Sequence, residues 1–407
     1  MEAPVYTQSP TEQQEGWSPA PERGDAFSLA GLKHGDVLFR SPEAAFRGWA
    51  DPADDLVECR DIDYVRAVSS LAENLKSRQR NTDVIFGAVP FSRRLPGRFF
   101  APRQRRVPLS TQVEGRVAAQ PGRECRRDAL PDRQGYVRAV QSALEAIGHG
   151  EVDKVVLARA LDILLDEPVS YPALLGRLLS GHRQGYTFAM PVPAESGGLE
   201  MLVGASPELL ARRKGDRITV NPLAGSAARQ TDPVKDSAVS QALAASEKDR
   251  HEHAIVVDDI RQRLAPLCRE LKVPQAPSVI GTDTLWHLST EITGILADPA
   301  TTALDVALAL HPTPAICGQP ATAAGRCIDL LEPFERGFYA GLVGWQDVRG
   351  DGEWAIALRC AQIHDSRLRL YAGAGIVEGS DPEREYEETA TKLGTLLRAV
   401  FGRRAAP

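Results

Sequence analysis

The sequence lacks several features that assign a protein to a class at once. Its six cysteines among 407 residues lie far apart and form no CxxC pair or Cys/His cluster, which argues against a zinc site and a disulfide framework. It contains no run of 18 apolar residues and no N-terminal apolar stretch that resembles a signal peptide. We therefore expect neither a membrane span nor secretion, and predict a cytoplasmic location.

The sequence also lacks an excess of basic charge. Its formal net charge is −6, and its densest basic stretch, Arg93 to Arg106, mixes arginine with proline and phenylalanine. We interpret that stretch as an exposed connection and expect no nucleic-acid partner. No heptad seam is visible, so we predict a monomer.

What the sequence does contain is typical of a globular protein with a sizeable core: 43% hydrophobic and 25% charged residues. Residues 1–24 are polar and proline-rich and are predicted to be a disordered tail. Strands are predicted at Lys154–Arg159, around 199–221 with a turn at 214–216, and as one hairpin of 354–363 with 367–372. Helices are predicted near 232–270 and 384–402. Turn-linked strands with separate helices predict an α+β fold with antiparallel sheets.

Two helical segments carry carboxylates on their apolar faces. At 100° per residue, Asp249 and Glu252 fall within about 120° of Val256, Ile260 and Leu264. Glu385, Glu388 and Lys392 fall within about 60° of one another beside Leu393 and Leu396. Such residues can lie at the edge of a solvated face. Turned inward, the four acids need compensation and suit a hard cation such as Mg²⁺.

Single polar residues in apolar settings are candidates for chemistry. Lys154 begins an apolar strand, where a lowered pKa would suit a general base. Glu208 faces an apolar strand, where a raised pKa would suit a general acid. Arg359 could clamp a carboxylate, and His287 could contact a substrate. A solvated lysine or glutamate, an ordinary sheet arginine and a core histidine remain the alternatives.

Two glycine-bearing segments, 223–227 and 372–376, could bind anions through backbone N–H groups, with ordinary turns as the alternative.

At this point the chain resembles the chorismate-utilising enzymes, and among them the isochorismate synthases of siderophore pathways. The matching strings are KVVLAR (154–159), GASPELL (204–210), PLAGSAAR (222–229), SEKDRHEH (246–253), LWHLST (285–290), HPTPAICGQP (311–320), EPFERGFYAGLVGW (332–345), ALRC (357–360), YAGAGIV (371–377) and EREYEETATKL (383–393). The resemblance implies two antiparallel sheets packed back to back with outer helices. It also implies one chorismate-binding domain over 25–407, with the motif-bearing part at about 130–403.

The resemblance further implies roles for the matched positions. Lys154 would activate water for attack at C2, and Glu208 would protonate the departing C4 hydroxyl. Glu252 and Glu388 would bind Mg²⁺ directly, and Asp249 and Glu385 through water. The remaining expected contacts of chorismate are Gly225, Ser226 and Lys392 at the ring carboxylate, and Tyr339, Arg359, Gly373, Ala374 and Gly375 at the enolpyruvyl carboxylate, with His287 nearby.

Relatives in this family perform different reactions in the same pocket. Lys154 suits water activation rather than amination. Ala315, followed by Ile316, stands where aminating and salicylate-forming members typically carry threonine. We therefore expect an isomerase, isochorismate synthase, that serves catechol (2,3-dihydroxybenzoate) siderophore or salicylate synthesis, with a downstream enzyme that consumes its product. The alternatives are a salicylate synthase, an aminating enzyme and a catalytically silent chorismate-binding protein.

Overall fold

The computed structural model describes residues 27–29, 31–49, 55–60, 63–77, 83–106, 113–114, 122–181, 185–194 and 197–402. The tail predicted at 1–24 lies outside these ranges.

The strands, in chain order, are β1 (Phe27–Ser28), β2 (Val37–Arg40), β3 (Ala45–Trp49), β4 (Asp55–Cys59), β5 (Val84–Val89), β6 (Gly97–Ala101), β7 (Arg103–Arg106), β8 (Val113–Glu114), β9 (Glu124–Leu130), β10 (Lys154–Leu165), β11 (Tyr186–Pro193), β12 (Leu199–Ser206), β13 (Leu209–Lys214), β14 (Arg217–Asn221), β15 (Leu223–Ala228), β16 (Cys268–Lys272), β17 (Ser278–Gly281), β18 (Leu285–Ser289), β19 (Ile292–Leu296), β20 (Gly318–Gln319), β21 (Leu342–Asp347), β22 (Gly352–Ile356), β23 (Cys360–His364) and β24 (Arg367–Ile376). The helices are α1 (Tyr64–Ser77), α2 (Arg133–Gly148), α3 (Tyr171–Gly181), α4 (Pro233–Ala245), α5 (Glu247–Leu264), α6 (Ala303–Leu310), α7 (Ala321–Leu331) and α8 (Pro382–Phe401).

Two large antiparallel sheets dominate the fold. The ten-stranded sheet has the order β20-β10-β24-β23-β12-β11-β2-β3-β7, with β9 also paired to β10. The nine-stranded sheet has the order β16-β19-β14-β13-β22-β21-β5-β6-β4. A three-stranded sheet, β15-β18-β17, lies beside them, and β1 pairs with β8. Strands from the first hundred residues extend both large sheets.

The two large sheets pack face to face through aromatic side chains. Phe39 and Phe188 of the ten-stranded sheet share one core cluster with Phe99 and Trp354 of the nine-stranded sheet, all fully or almost fully buried. Gly87 makes room for this core, because a Cβ there would lie 2.5 Å from the Phe99 ring and 2.8 Å from the Trp354 ring. The expected back-to-back arrangement of antiparallel sheets is confirmed.

The outer faces of the sheets are covered by helices. Along β24, Leu370 packs outward with Leu178 of α3 and Leu397 of α8, while the neighbouring Tyr371 faces the inter-sheet core, as strand alternation requires. Helices α2 and α7 pack against β10, and α1 and α6 pack against the nine-stranded sheet. The predicted outer helices are thereby confirmed.

Three local predictions need correction. The segment 354–363 is not one strand, because β22 belongs to the nine-stranded sheet and β23 to the ten-stranded sheet. The predicted helix at 232–270 is two helices, since Ser246 ends α4 and caps α5 with its side chain, and the chain re-enters a sheet at Cys268. The stretch Arg93 to Arg106 is not a simple connection, because it contributes β6 and β7 to different sheets.

The chain changes sheets twice at neighbouring places, and these crossovers position the site. Residues 207–208 link β12 to β13, and residues 357–359 link β22 to β23. Backbone hydrogen bonds join the two crossovers, from Ile356 N to Glu208 O at 3.2 Å and from Ala205 N to Arg359 O at 3.1 Å. Glu208 and Arg359 therefore lie close together where the two sheets part.

Candidate active site

A cavity opens at these crossovers, with about 730 Å³ of atom-free space that includes its mouth to solvent. Thirteen of the seventeen residues singled out from the sequence line it: Glu208, Gly225, Ser226, Glu252, His287, Ala315, Ile316, Tyr339, Arg359, Gly373, Gly375, Glu388 and Lys392. Lys154, Asp249, Glu385 and Ala374 do not line it. The Ala374 side chain is fully buried and, by strand alternation, lies on the face of β24 opposite to Gly373 and Gly375.

Glu208 is a buried carboxyl at the cavity wall, only 3% exposed. Burial raises its pKa to about 8, although the Leu223 N–H and the charges of Lys154, Lys392 and Arg359 act in the opposite direction. The solvated glutamate allowed by the sequence is therefore wrong. At neutral pH this carboxyl holds a proton that it can donate.

Arg359 and His287 form a buried pair beside Glu208. Arg359 has a left-handed backbone (φ 45°), which turns the chain between the two sheets. Its Nη2 donates to His287 Nε2 at 2.5 Å. Burial, together with Arg359 and Lys392, lowers the pKa of His287 well below its usual value, so the ring is neutral.

Arg359 keeps an unused donor. Within the described part of the chain, its buried Nη1 has no hydrogen-bond partner, and burial lowers its pKa to about 10, which leaves it charged at neutral pH. A buried charged donor without an acceptor is costly. A ligand carboxylate would satisfy it.

The predicted stripes of carboxylates on α5 and α8 are present. Glu252 lies in line with the buried Val256, Ile260 and Leu264 of α5, and Glu385 is buried on α8. Each acid has its own partner: Glu252 Oε1 lies 2.8 Å from Lys154 Nζ, Glu388 Oε1 2.7 Å from Lys392 Nζ, and Glu385 Oε1 2.8 Å from Lys248 Nζ. Asp249 accepts from the Ser246 hydroxyl at 2.5 Å.

The pKa shifts of these acids reflect their burial and the charges of their neighbours. Burial and the neighbouring charges of Glu252 and Glu388 raise the pKa of Asp249, and burial and Glu388 raise that of Glu385. Burial acts to raise the pKa of Glu252 as well, but the ion pair with Lys154 outweighs it and the pKa is lowered. The cluster therefore carries negative charge that repels itself.

Lys154 is buried behind Glu252 rather than at the cavity surface. Its side chain is 0% exposed, so the solvated lysine allowed by the sequence is wrong. Gly375 of the neighbouring strand leaves space for the pair, since a Cβ there would lie 2.2 Å from Glu252 Oε1 and 3.1 Å from Lys154 Cε. The Glu252 carboxylate lines the cavity, and Lys154 contacts that carboxylate from behind.

The acids have the chemistry of a magnesium site without its geometry. Among the described residues, no three Asp, Glu, His or Cys side chains converge closely enough to hold a metal ion, because three of the four acids are drawn to separate lysines. The donors are hard oxygens, which Mg²⁺ prefers. Burial raises the pKa values of Asp249 and Glu385 most and the neighbouring carboxylates raise them further, and a cation would offset both effects.

The two glycine segments fit tightly around the cavity. Gly225 has φ +79°, and a Cβ there would lie 3.0 Å from Asp249 Cβ, so a side chain is excluded by both strain and space. A Cβ on Gly373 would lie 3.0 Å from the Tyr339 hydroxyl. The Gly373 carbonyl accepts from Lys392 Nζ at 2.8 Å.

Sequence reasoning did not identify several lining residues. Tyr371 stacks on Tyr339 with ring centroids 5.0 Å apart and an 8° interplanar angle, and both line the cavity. Leu223, Leu358 and Val156 add apolar wall. The position of Tyr371 in the YAGAGIV string was a usable signal. The aliphatic residues gave none, because they look like any core residue.

The combination of a neutral buried acid, an arginine with a free donor and a carboxylate cluster defines an enzyme site for a small anionic substrate. The family model described as chorismate binding enzyme matches residues 101–401. The chain belongs to the chorismate-binding enzymes.

Several similar proteins in this family are named isochorismate synthases. Isochorismate synthase DhbC of Bacillus subtilis is 43% identical over 337 residues, 82% of this chain and 84% of the relative. Isochorismate synthase EntC of Escherichia coli K12 is 40% identical over 346 residues, 84% of this chain and 87% of the relative. The crystal structure of a putative 2,3-dihydroxybenzoate-specific isochorismate synthase, DhbC from Bacillus anthracis, superposes with a TM-score of 0.85 at 38% identity, covering 91% of this chain and 98% of that one. The resemblance inferred from the strings is confirmed.

Proposed function

We propose that this protein is an isochorismate synthase, which converts chorismate to isochorismate by adding water at C2 and expelling the C4 hydroxyl. The observation that carries the proposal is a single cavity in which a protonated Glu208 lies beside the anion-binding Arg359, in a chain related to isochorismate synthases over four fifths of its length. Its product would supply catechol siderophore or salicylate synthesis through a downstream enzyme.

Chorismate carries two carboxylates, and the cavity offers cations for them. Arg359 Nη1 is free to donate to one carboxylate, and we propose that Tyr339 and the amides around Gly373, which border the same cavity, assist it. We propose that Lys392, Gly225 and Ser226, which line the same cavity, hold the other. The apolar walls exclude water and strengthen these charged contacts.

The chemistry requires one proton removed and one proton delivered. Lys154 would take a proton from the attacking water, whose oxygen bonds to C2 as the two conjugated ring double bonds shift and the bond from C4 to its hydroxyl oxygen breaks. Glu208 would give its proton to the C4 oxygen, which leaves as water. Each positioned proton transfer typically contributes ~10²–10⁴-fold to the rate.

Lys154 can act as the base only after its ion pair with Glu252 opens and its ammonium group has released a proton to solvent. We propose that Glu252 and Glu388 are ligands of Mg²⁺ and that Asp249 and Glu385 act through water. The ion would supply positive charge for the ring carboxylate. A carboxylate turned towards the metal would leave Lys154 facing the cavity.

The wall formed by Ala315 and Ile316 selects the reaction. Ile316 is 2% exposed and both residues line the cavity. Neither offers a hydroxyl near the ring, so we propose that the reaction ends at hydroxyl exchange, without amination or loss of pyruvate. The cytoplasmic location and the monomeric state remain predictions from the sequence.

The test is a product assay. The purified protein is incubated with chorismate with and without Mg²⁺, with ammonium in a parallel sample, and the products are resolved by mass-detected chromatography together with a pyruvate assay. We expect a Mg²⁺-dependent product of unchanged mass and no pyruvate. Salicylate with pyruvate, or a nitrogen-containing product, would contradict the proposal. A Glu208→Gln sample shows that any product comes from this site.

A further inference from the structure

A buried ion pair, Glu332 and Arg336, lies behind the cavity wall and touches no part of the cavity surface itself. Each side chain is 3% exposed, and the pair is bidentate, with Arg336 Nε 2.8 Å from Glu332 Oε2 and Nη2 2.5 Å from Oε1. Burial of two charges is costly, and such a pair is weak evidence of a stabilising role. Its other contacts indicate what it does.

The pair fills a gap in the ten-stranded sheet. On one edge of β10, β20 pairs with Lys154 and Val155, and β9 pairs with Ala160 onwards. Between them, in the described chain, no strand pairs with this edge. The Val156 carbonyl accepts from Arg336 Nη2 at 2.7 Å, and the Ala158 N–H donates to Glu332 Oε1 at 2.7 Å. The two side chains thus satisfy backbone groups that a neighbouring strand would otherwise satisfy.

The same guanidinium also binds a second segment of the cavity wall. Arg336 Nη1 donates to the Ile316 carbonyl at 2.8 Å, and the guanidinium carbon lies 5.9 Å from the centroid of the Tyr339 ring. Val156, Ile316 and Tyr339 all line the cavity. The guanidinium therefore joins the strand that carries Lys154 to the segment that carries Ala315 and Ile316, next to the backbone hydrogen bond from Val156 N to Cys317 O at 2.8 Å.

We propose that Arg336, held by Glu332, is a positioning residue that sets the reactive geometry between Lys154 and the substrate ring. This inference rests on the proposed function. Because Arg336 lies behind the wall, its loss would misplace reacting groups without removing a contact to the ligand. Small misplacements of this kind can lower a rate ~100-fold.

The test is Arg336→Lys, which keeps the charge but cannot reach Glu332 and both carbonyls at once. We expect kcat to fall at least tenfold, while the dissociation constant of chorismate, measured under non-turnover conditions without Mg²⁺, changes less than threefold. Glu332→Gln keeps the shape of the side chain, and its amide oxygen can still accept from Ala158 N and Arg336 Nη2, but the acceptor for Arg336 Nε is lost. We expect a smaller loss of kcat in the same direction.

Arg213→Lys is the matched control. Arg213 is equally an inward arginine, 8% exposed, that donates to the Arg349 and Pro299 carbonyls and to Asp351, but it lies away from the cavity. We expect Arg213→Lys to keep kcat within twofold of the parent value, even where its melting temperature falls as much as that of Arg336→Lys.

The outcomes separate the two proposals. If the parent protein makes no isochorismate, the proposed function fails. If the parent is active and Arg336→Lys retains its kcat, or if Arg213→Lys loses as much kcat at equal loss of stability, the positioning role is wrong. If Arg336→Lys does not fold, Glu332→Gln decides: a kcat equal to that of the parent overturns the inference.

Discussion

Glu208 and Glu252 are both buried glutamates of one cavity, yet their pKa values shift in opposite directions. Glu208 lies at a crossover between sheets against apolar wall, and burial raises its pKa to about 8. Glu252 lies on α5, 2.8 Å from Lys154, and that ion pair outweighs burial and lowers its pKa. The difference shows that the partner of a carboxyl, more than its burial, decides whether it serves as an acid or as an anion.

The largest expected effect comes from removing the proton donor, Glu208. In Glu208→Gln the proton donor is lost while the shape of the protonated side chain is kept. We expect kcat to fall ~10²–10⁴-fold, the usual contribution of a general acid, with chorismate binding nearly unchanged. Steady-state kinetics and direct binding check this. A variant that retains more than a third of the parent kcat would exclude Glu208 as the acid.

The next effect concerns the cation beside Glu208. Arg359→Lys keeps a charge but loses the fork that donates to both His287 and a ligand. A charged hydrogen bond contributes about 1.5–3 kcal/mol, so we expect chorismate to bind roughly 10- to 100-fold more weakly. Arg369→Lys is the control, because Arg369 of β24 pairs with Asp162 of β10 and does not line the cavity. Equal weakening in both variants would mean that Arg359 does not hold the ligand.

The proposed role of Glu252 as a charged metal ligand is tested by the Mg²⁺ dependence of activity. In Glu252→Gln and Glu388→Gln, a charged oxygen ligand becomes a neutral one. We expect each to raise the Mg²⁺ concentration for half-maximal activity about tenfold or more, since a full carboxylate contact is lost. Glu387→Gln on the same helix pairs with Arg133 at the surface and serves as control. Unchanged Mg²⁺ dependence in both test variants would remove them from the proposed metal site.

Much of this site follows from the sequence, and the part that does not depends on tertiary packing. Periodicity places Glu252 and Glu385 on apolar helix faces, and the structure has them buried. Local pattern could not show that the strand predicted at 354–363 changes sheets at Arg359, because alternation continues across the crossover. Nor could it pair Lys154 with Glu252, since the partners are about a hundred residues apart and meet only through the space left at Gly375.

The pH dependence sharpens the comparison further. Only protonated Glu208 can donate, and its pKa is raised to about 8. We therefore expect kcat/KM for the free enzyme to fall about tenfold per pH unit above pH 8. In Glu208→Gln the residual activity should not show this decrease above pH 8. A decrease that persists unchanged in Glu208→Gln would belong to another titrating group.

The smallest expected effect is on stability. Because the folded pKa of Glu208 lies above its unfolded value, the folded state binds the extra proton, and stability falls as pH rises from about 4.5 through about 8. Glu208→Gln has no such proton to lose. We expect its melting temperature relative to the parent to increase by a few degrees between pH 5 and pH 9. A difference that is constant with pH would show that Glu208 is ionised in the folded protein.

The most direct test of the proposed chemistry is to run the reaction in H₂¹⁸O and measure the mass of the product by mass spectrometry. We predict isochorismate that is 2 Da heavier, with the label at C2, because the new hydroxyl comes from solvent and the C4 oxygen leaves protonated by Glu208. Recovered chorismate that gains label only as the reaction reverses would agree with this. An unlabelled isochorismate would mean that the hydroxyl moves within the substrate, and would contradict the roles of Lys154 and Glu208.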